Sequence, residues 1–187
     1  MGFSKAELAA FRDVEVPDLL GVDLRLLFVG INPGLWTAAV QAHFARPGNR
    51  FYPALLRAGI ITEPVAPSAG MTDHERAHLL ARGLGITNLV RRATTGAADL
   101  IPAELREGGE RLRELVRARE PRVVAVAGIS AYRHAFGDPK AQVGRQDECI
   151  EGAELWVVPN PSGLNAHETV ASLAEAYAAP ARAAGVL

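Results

Sequence analysis

The chain reads as an α/β protein, a three-layer α/β/α sandwich around a central, mostly parallel four-stranded sheet. Three observations carry this reading. The runs LRLLFV at 24–29 and RVVAVAG at 122–128 are short, nearly continuous in apolar residues and bounded by glycine, the pattern of strands buried on both faces. Two further strands, GITNLV at 85–90 and ELWVV at 154–158, fall between segments with helical start and stop signals. Strands alternating with helices give right-handed crossovers and helices on both faces of one sheet. The 187 residues, 49% hydrophobic and 22% charged, suit one domain (1–187, with 1–17 as an N-terminal extension) that buries a real core.

Residues 4–12 open the chain as a short helix, with Ser4 as N-cap and Glu7 at the capping-box position three residues on. The first strand follows at 24–29 and stops at Gly30. Residues 35–46 are too irregular to assign, and 47–59 becomes helical after Pro53 and ends at Gly59. A loop rich in Pro, Ala and Ser covers 63–70. Thr72 caps the helix 72–82, again with a glutamate, Glu75, three residues later. The second strand is 85–90. The clearest helix is 102–119, with Leu105, Leu112, Leu115 and Val116 on one side. The third strand is 122–128, a short helix spans 129–136, the fourth strand is 154–158, and an alanine-rich helix over 168–183 closes the chain.

Two strand ends share a design. Gly30-Ile31-Asn32-Pro33-Gly34 follows the first strand, and Pro159-Asn160-Pro161-Ser162-Gly163 follows the fourth. Glycine and proline there make tight turns, and parallel strands place both turns at the carboxyl edge of one sheet, where open α/β folds bind ligands. Either loop alone is explained by a turn; two loops on one edge suggest a site.

Composition narrows the function. A single cysteine, Cys149, excludes an internal disulfide and a cysteine-rich metal site. Residues 1–12 lack a secretory signal and no run approaches ~18 apolar residues, so the expected location is cytoplasmic, with no membrane partner. Net charge is −1, and no basic stripe advertises nonspecific nucleic-acid binding. Lys5 and Lys140 are the only lysines. Among the arginines, Arg46, Arg50, Arg91 and Arg92 fall near the motif loops and are candidates to meet phosphates. Arg111, Arg113, Arg117 and Arg119 are expected on a solvated helix face.

The three ordered motifs GINPG at 30–34, FARPGNRFY at 44–52 and NPSGL at 160–164, with GITNLV at 85–90 and REGG at 106–109, resemble the mismatch-specific branch of the uracil-DNA glycosylase superfamily. The resemblance runs from about residue 18 to 177. It implies the sheet order 2-1-3-4, and a monomeric, monofunctional glycosylase that removes uracil or thymine opposite guanine in double-stranded DNA without a cofactor. Asn32 matches the family's water-positioning asparagine, and Phe44 the aromatic that stacks on the flipped base. Thr37 matches a small hydroxyl residue near the base edge. Ile31 and Asn88 complete the implied base pocket. Leu164 matches the wedge that fills the hole left by the flipped nucleotide, and Gly34, Asn160, Ser162, Gly163 and Asn165 are the implied DNA-contacting backbone. Asn49 and Arg50 are expected to brace the loop. Two departures stand out: Trp36 replaces a small residue, with a narrowed pocket or shifted preference as the expected result, and Ala166 stands where some relatives carry a basic residue.

Other chemistries find less support. Ser162 lacks a Gly-x-Ser-x-Gly elbow. His43, His74, His78, His134 and His167 lack metal-ligand spacing, with His74 and His78 expected as a surface pair. No lysine lies near a motif, so Schiff-base lyase chemistry is not expected. The rival readings are a non-catalytic module of the same fold that binds nucleotides or single-stranded DNA, and a small-molecule hydrolase.

Overall fold

The computed structural model describes residues 2–187. Four parallel strands, β1 (Leu26–Gly30), β2 (Leu84–Asn88), β3 (Val123–Ala127) and β5 (Glu154–Val158), and a two-residue β4 (Gly144–Arg145) form one sheet in the order β2-β1-β3-β5-β4. The helices are α1 (Lys5–Ala9), α2 (Leu35–Val40), α3 (Phe51–Arg57), α4 (Asp73–Ala81), α5 (Pro102–Arg119), α6 (Ile129–Phe136) and α7 (Val170–Ala184).

Alternation along the strands sorts the core into two halves. Leu26 and Phe28 of β1 and Val123 and Ala125 of β3 face Phe51, Leu55 and Tyr177 of α3 and α7. Leu27, Val29, Val124 and Val126 face Leu105, Leu112, Val116 and Tyr132 of α5 and α6. Every residue of β1, β2 and β3 is buried, which explains runs that are apolar without alternation. A fully buried Leu, Phe or Val contributes about 1.5–3 kcal/mol, so the central strands are a rigid mount for whatever their ends carry.

Glycine sets how closely two of the helices approach. A Cβ at Gly108 would lie 2.3 Å from the Leu89 carbonyl oxygen, and one at Gly109 would lie 2.5 Å from that of Ala135. The REGG stretch is thus where α5 touches the chain leaving β2 on one side and α6 on the other.

The sandwich and the order of its four main strands agree with the expectation, and three local readings are corrected. β4 is a fifth strand, antiparallel to β5 at the sheet edge. Its two residues, the partly exposed Gly144 and the exposed Arg145, carry no apolar signal. Residues 35–46 contain the six-residue helix α2, ended by Gln41 with φ +52°. The helix α3 starts at Phe51, so Pro53 lies inside its first turn, where a missing N–H costs no helical bond. The two capping boxes, Ser4 with Glu7 and Thr72 with Glu75, form as read.

Candidate active site

Because β1, β2, β3 and β5 run parallel, their carboxyl ends share one edge. There the loops after β1, β2 and β5 enclose a cleft of about 310 Å³ lined by Ile31, Asn32, Gly34, Thr37, Phe44, Asn88, Asn160, Ser162 and Leu164, together with His43, Arg46, Asn49 and Thr94.

Asn32 sits at the tip of the first loop with its amide fixed. Its Nδ2 donates to Thr94 Oγ1 at 2.8 Å, to the Pro33 carbonyl at 3.1 Å and to the Arg92 carbonyl at 3.3 Å. Carbonyls only accept, so the nitrogen must point that way. Thr94 is fully buried and spends its own hydroxyl proton on the Gly96 carbonyl at 2.8 Å, which leaves its oxygen to accept. Asn32 Oδ1 has no partner among the described residues, yet it is not sealed from solvent. It is a free acceptor in the cleft. The segment behind it is clamped: Leu89 and Val90 donate their backbone N–H to the Gly30 and Ile31 carbonyls, and Arg92 pairs with Glu104 at 2.6 Å and Asp13 at 2.8 Å. The Arg92 guanidinium, helped by the Ile101 N–H, holds the Glu104 carboxyl down at about 2.

The opposite wall is aromatic. Phe44 has φ +55°, a left-handed conformation that costs a bulky residue of order 1 kcal/mol. Its neighbours hold it there: the Tyr52 phenol donates to the His43 carbonyl at 3.0 Å, and the Phe44 ring stacks on Phe51 at 4.1 Å and 26°. At the floor, a Cβ on Gly30 would lie 2.3 Å from Asn88 Oδ1 and 3.4 Å from the Phe44 ring. Glycine there keeps the floor open. Asn88 Nδ2 meets His43 Nδ1 at 3.1 Å, and His43 Nε2 meets the Pro17 carbonyl at 2.9 Å. Burial pushes the His43 pKa down, against the smaller upward pulls of the Pro17 carbonyl and Asp18.

The third side is the loop after β5. Ser162 N–H donates to Asn160 Oδ1, Leu164 N–H to Ser162 Oγ, and Asn165 Nδ2 to the Asn160 carbonyl. Arg50 fastens this loop to the loop before α3 by donating to the carbonyls of Ser162 at 3.1 Å, Asn165 at 2.9 Å and Glu168. Leu164 stands out at its tip, 77% exposed.

A family model of the Uracil DNA glycosylase superfamily matches residues 17–180. The chain belongs to the Uracil DNA glycosylase superfamily. This membership supports a glycosylase function in general. The fold is also that of the solution NMR structure of a candidate uracil DNA glycosylase from Methanosarcina acetivorans. The two superpose with a TM-score of 0.59 at 15% identity, over 91% of this chain and 98% of that one.

Within this superfamily member, the cleft gathers most of the residues read from sequence. Gly163 and Asn165 stand apart from its lining. Gly163 backs onto the Gly48 carbonyl, where a Cβ would come within 2.6 Å, and Asn165 borders a neighbouring depression with Gly128 and His167. Trp36 is not in the cleft: its indole N–H donates to the Ser68 carbonyl and its ring meets Phe3 edge-on at 5.0 Å. It anchors the N-terminal segment and does not narrow the pocket. Arg91 and Arg92 are committed to Glu15, Asp13 and Glu104, so of the four loop arginines only Arg46 is exposed in the cleft with no side-chain partner among the described residues. Arg111 is not on a solvated face; it is half-buried and donates to the carbonyls of Asn88 and Leu89. Nor are His74 and His78 a surface pair, since the His78 side chain is only 10% exposed.

Sequence reading missed His43 and Thr94. Neither has a diagnostic neighbour, because each acts through a residue 45 or 62 positions away. A larger cleft of about 560 Å³ lies by β4 and α6, lined by Arg113, Lys140 and Arg145 as well as Asp138, Asp147 and Glu148. Its mixed charges converge on no common chemistry. Among the described residues no three His, Cys, Asp or Glu side chains gather as a metal-binding group, and no helix is long and apolar enough to cross a membrane.

Proposed function

We propose that this protein is a monofunctional DNA glycosylase that hydrolyses the N-glycosidic bond of uracil, and of thymine, opposite guanine in duplex DNA. The observation that carries the reading is the Asn32 amide, whose nitrogen is committed to three acceptors while Oδ1 stays free in a cleft walled by the Phe44 ring. A free, oriented acceptor holds a water by one O–H and presents its oxygen lone pair to the sugar.

The base leaves the stack to enter the cleft. The open face of Phe44, whose other face rests on Phe51, receives it, and such stacking is worth ~1–3 kcal/mol. Thr37, Ile31 and Asn88 line the base edge. The C1′–N bond breaks with its electron pair on the departing base. The water oxygen then bonds to C1′ and gives up a proton, and the base leaves protonated. An amide is a poor base, so positioning and electrostatics supply most of the acceleration. Leu164 would fill the space vacated in the duplex, offsetting part of an unstacking cost of a few kcal/mol. Backbone groups of Gly34, Asn160, Ser162, Gly163 and Asn165 would meet DNA, with Arg46, exposed at the cleft, available to a phosphate. Ala166 adds no charge, so the grip on phosphate is modest.

The test is base release from duplexes carrying uracil opposite guanine or adenine, with and without EDTA and borohydride. Release favouring guanine, unaffected by EDTA and with no trapped adduct, is expected. Asn32→Ala should cleave ~10²–10⁴ times more slowly while still binding duplex. Tight binding with no base release would favour the non-catalytic reading, and an unimpaired Asn32→Ala would remove the catalytic assignment.

A further inference from the structure

An asparagine amide offers an acceptor on one side and a donor on the other, and which one faces a ligand decides what the ligand must carry. For Asn32 two backbone carbonyls settle the question. For Asn88 no carbonyl does. Its amide meets His43 Nδ1 at 3.1 Å, and an imidazole nitrogen donates or accepts according to where the ring proton sits.

The far side of the ring decides. His43 Nε2 lies 2.9 Å from the Pro17 carbonyl, which only accepts, so Nε2 carries the proton. His43 is 4% exposed, and burial disfavours a second proton on the ring. Nδ1 is then a bare lone pair, Asn88 must turn Nδ2 toward it, and Asn88 Oδ1 is left over the Gly30 floor beside the Phe44 ring. That oxygen has no partner among the described residues and remains open to the cleft.

We propose that His43 is a positioning residue that sets the pyrimidine specificity of the cleft: through the Pro17 carbonyl it fixes the Asn88 amide with its oxygen toward the base, so that the pocket takes bases with an N–H at that edge. Uracil and thymine carry a donor at N3, whereas cytosine carries an acceptor there. A proton on Nδ1 reverses the relay. Asn88 Oδ1 then turns to the imidazolium, Nδ2 faces the base, and the preference for the N3–H edge is lost. The charged and titratable groups around the ring are Asp18 and Arg76, with opposed effects, and the Tyr52 phenol, which holds the His43 carbonyl. The cleft is not rebuilt by this change; one amide turns over.

The inference rests on the cleft being the base pocket, and its test reads discrimination in binding, not cleavage. Duplexes carry uncleavable 2′-fluoro analogues of deoxyuridine or deoxycytidine opposite difluorotoluene, so neither base loses a hydrogen-bonded pair. Wild-type protein should favour the uracil analogue, and His43→Ala should shrink that preference roughly tenfold, about one hydrogen bond. Affinity for an abasic product should be unchanged. In wild type the preference should fall as pH is lowered and His43 protonates, and in His43→Ala it should be flat. Long-range ¹H–¹⁵N spectra of the wild-type imidazole decide the matter independently of how the variant folds: the Nε2–H form is expected at neutral pH. An Nδ1–H form, a pH-independent wild-type preference, or a folded His43→Ala that discriminates as well as wild type overturns the proposal. A failure of base release with discrimination intact would instead count against the glycosylase reading.

Discussion

The loops after β1 and β5 begin alike, each a parallel strand turning through Asn, Pro and Gly, but they are held in opposite ways. The first is tied inward. Its backbone carbonyls accept from Leu89 and Val90, its asparagine is bonded to the segment after β2, and that segment is clamped by Arg92, Glu104 and Asp13. The second projects. It carries the exposed Leu164 and is held to the body by the guanidinium of Arg50 and its own side-chain turns. A group that must orient a water gains from rigidity, while a group that enters a duplex must reach beyond the surface. On the proposed function, changes in the first loop should alter the chemical step and changes in the second should alter how duplex is engaged.

After Asn32 itself, the largest effect that tests this contrast is at Thr94. Thr94→Val keeps the shape but removes the acceptor for Asn32 Nδ2 and the donor to the Gly96 carbonyl. With one of three anchors gone, kcat should fall roughly 10–10²-fold, with duplex affinity nearly unchanged. Single-turnover kinetics beside a binding titration separates the two; a change in affinity alone would erase the distinction between the loops.

Arg50 comes next. Arg50→Ala frees the second loop from three carbonyls and should raise KM for duplex about tenfold, with a smaller effect on single-stranded uracil. Leu164→Ala should act in the same direction but more weakly, lowering abasic-product affinity and slowing duplex cleavage more than single-strand cleavage. Equal effects on both substrates would make Leu164 a packing residue.

The same contrast explains what could be read in the sequence. The strands at 24–29 and 122–128 and the helices at 102–119 and 129–136 were legible because burial on both faces and helical caps leave local marks. The residues at the strand ends were legible by resemblance, since Asn32, Phe44 and Leu164 sit in motifs. What was hidden depends on distant partners. The guanidinium of Arg92 looked free for phosphate because Asp13 lies 79 positions away, and Arg111 looked solvated because its acceptors are backbone carbonyls on another element. Trp36 looked like a pocket residue because sequence gives its neighbours along the chain but not which face of a six-residue helix meets the N-terminal segment. Backbone carbonyls, which carry no sequence signature, fix Asn32 and His43 alike.

The smallest predicted effect sharpens the comparison through acid. Of the asparagines that line the cleft, Asn32 and Asn88 have titratable groups of different kinds behind them. Behind Asn88 is His43, whose pKa is pushed below the ordinary 6.5 by burial. The unfolded chain therefore binds a proton on this residue before the folded one does, so stability is lost as pH falls below 6.5 toward the folded value. Behind Asn32 is the Arg92 clamp, whose Glu104 titrates at about 2 instead of 4.5 because Arg92 and the Ile101 N–H bind its ionised form. That contribution is complete above 4.5 and is lost as pH falls from 4.5 toward 2. Other carboxylates also titrate there, so the informative quantity is the difference between wild type and variant. Urea midpoints measured against pH should give a wild-type minus His43→Gln difference that begins to change below 6.5. The wild-type minus Arg92→Gln difference should stay flat until about 4.5. The hold on the base-facing amide would then loosen at a milder pH than the hold on the water-facing one. If both differences change only below 4.5, His43 is not kept neutral by its surroundings, and acid does not separate the hold on the two amides.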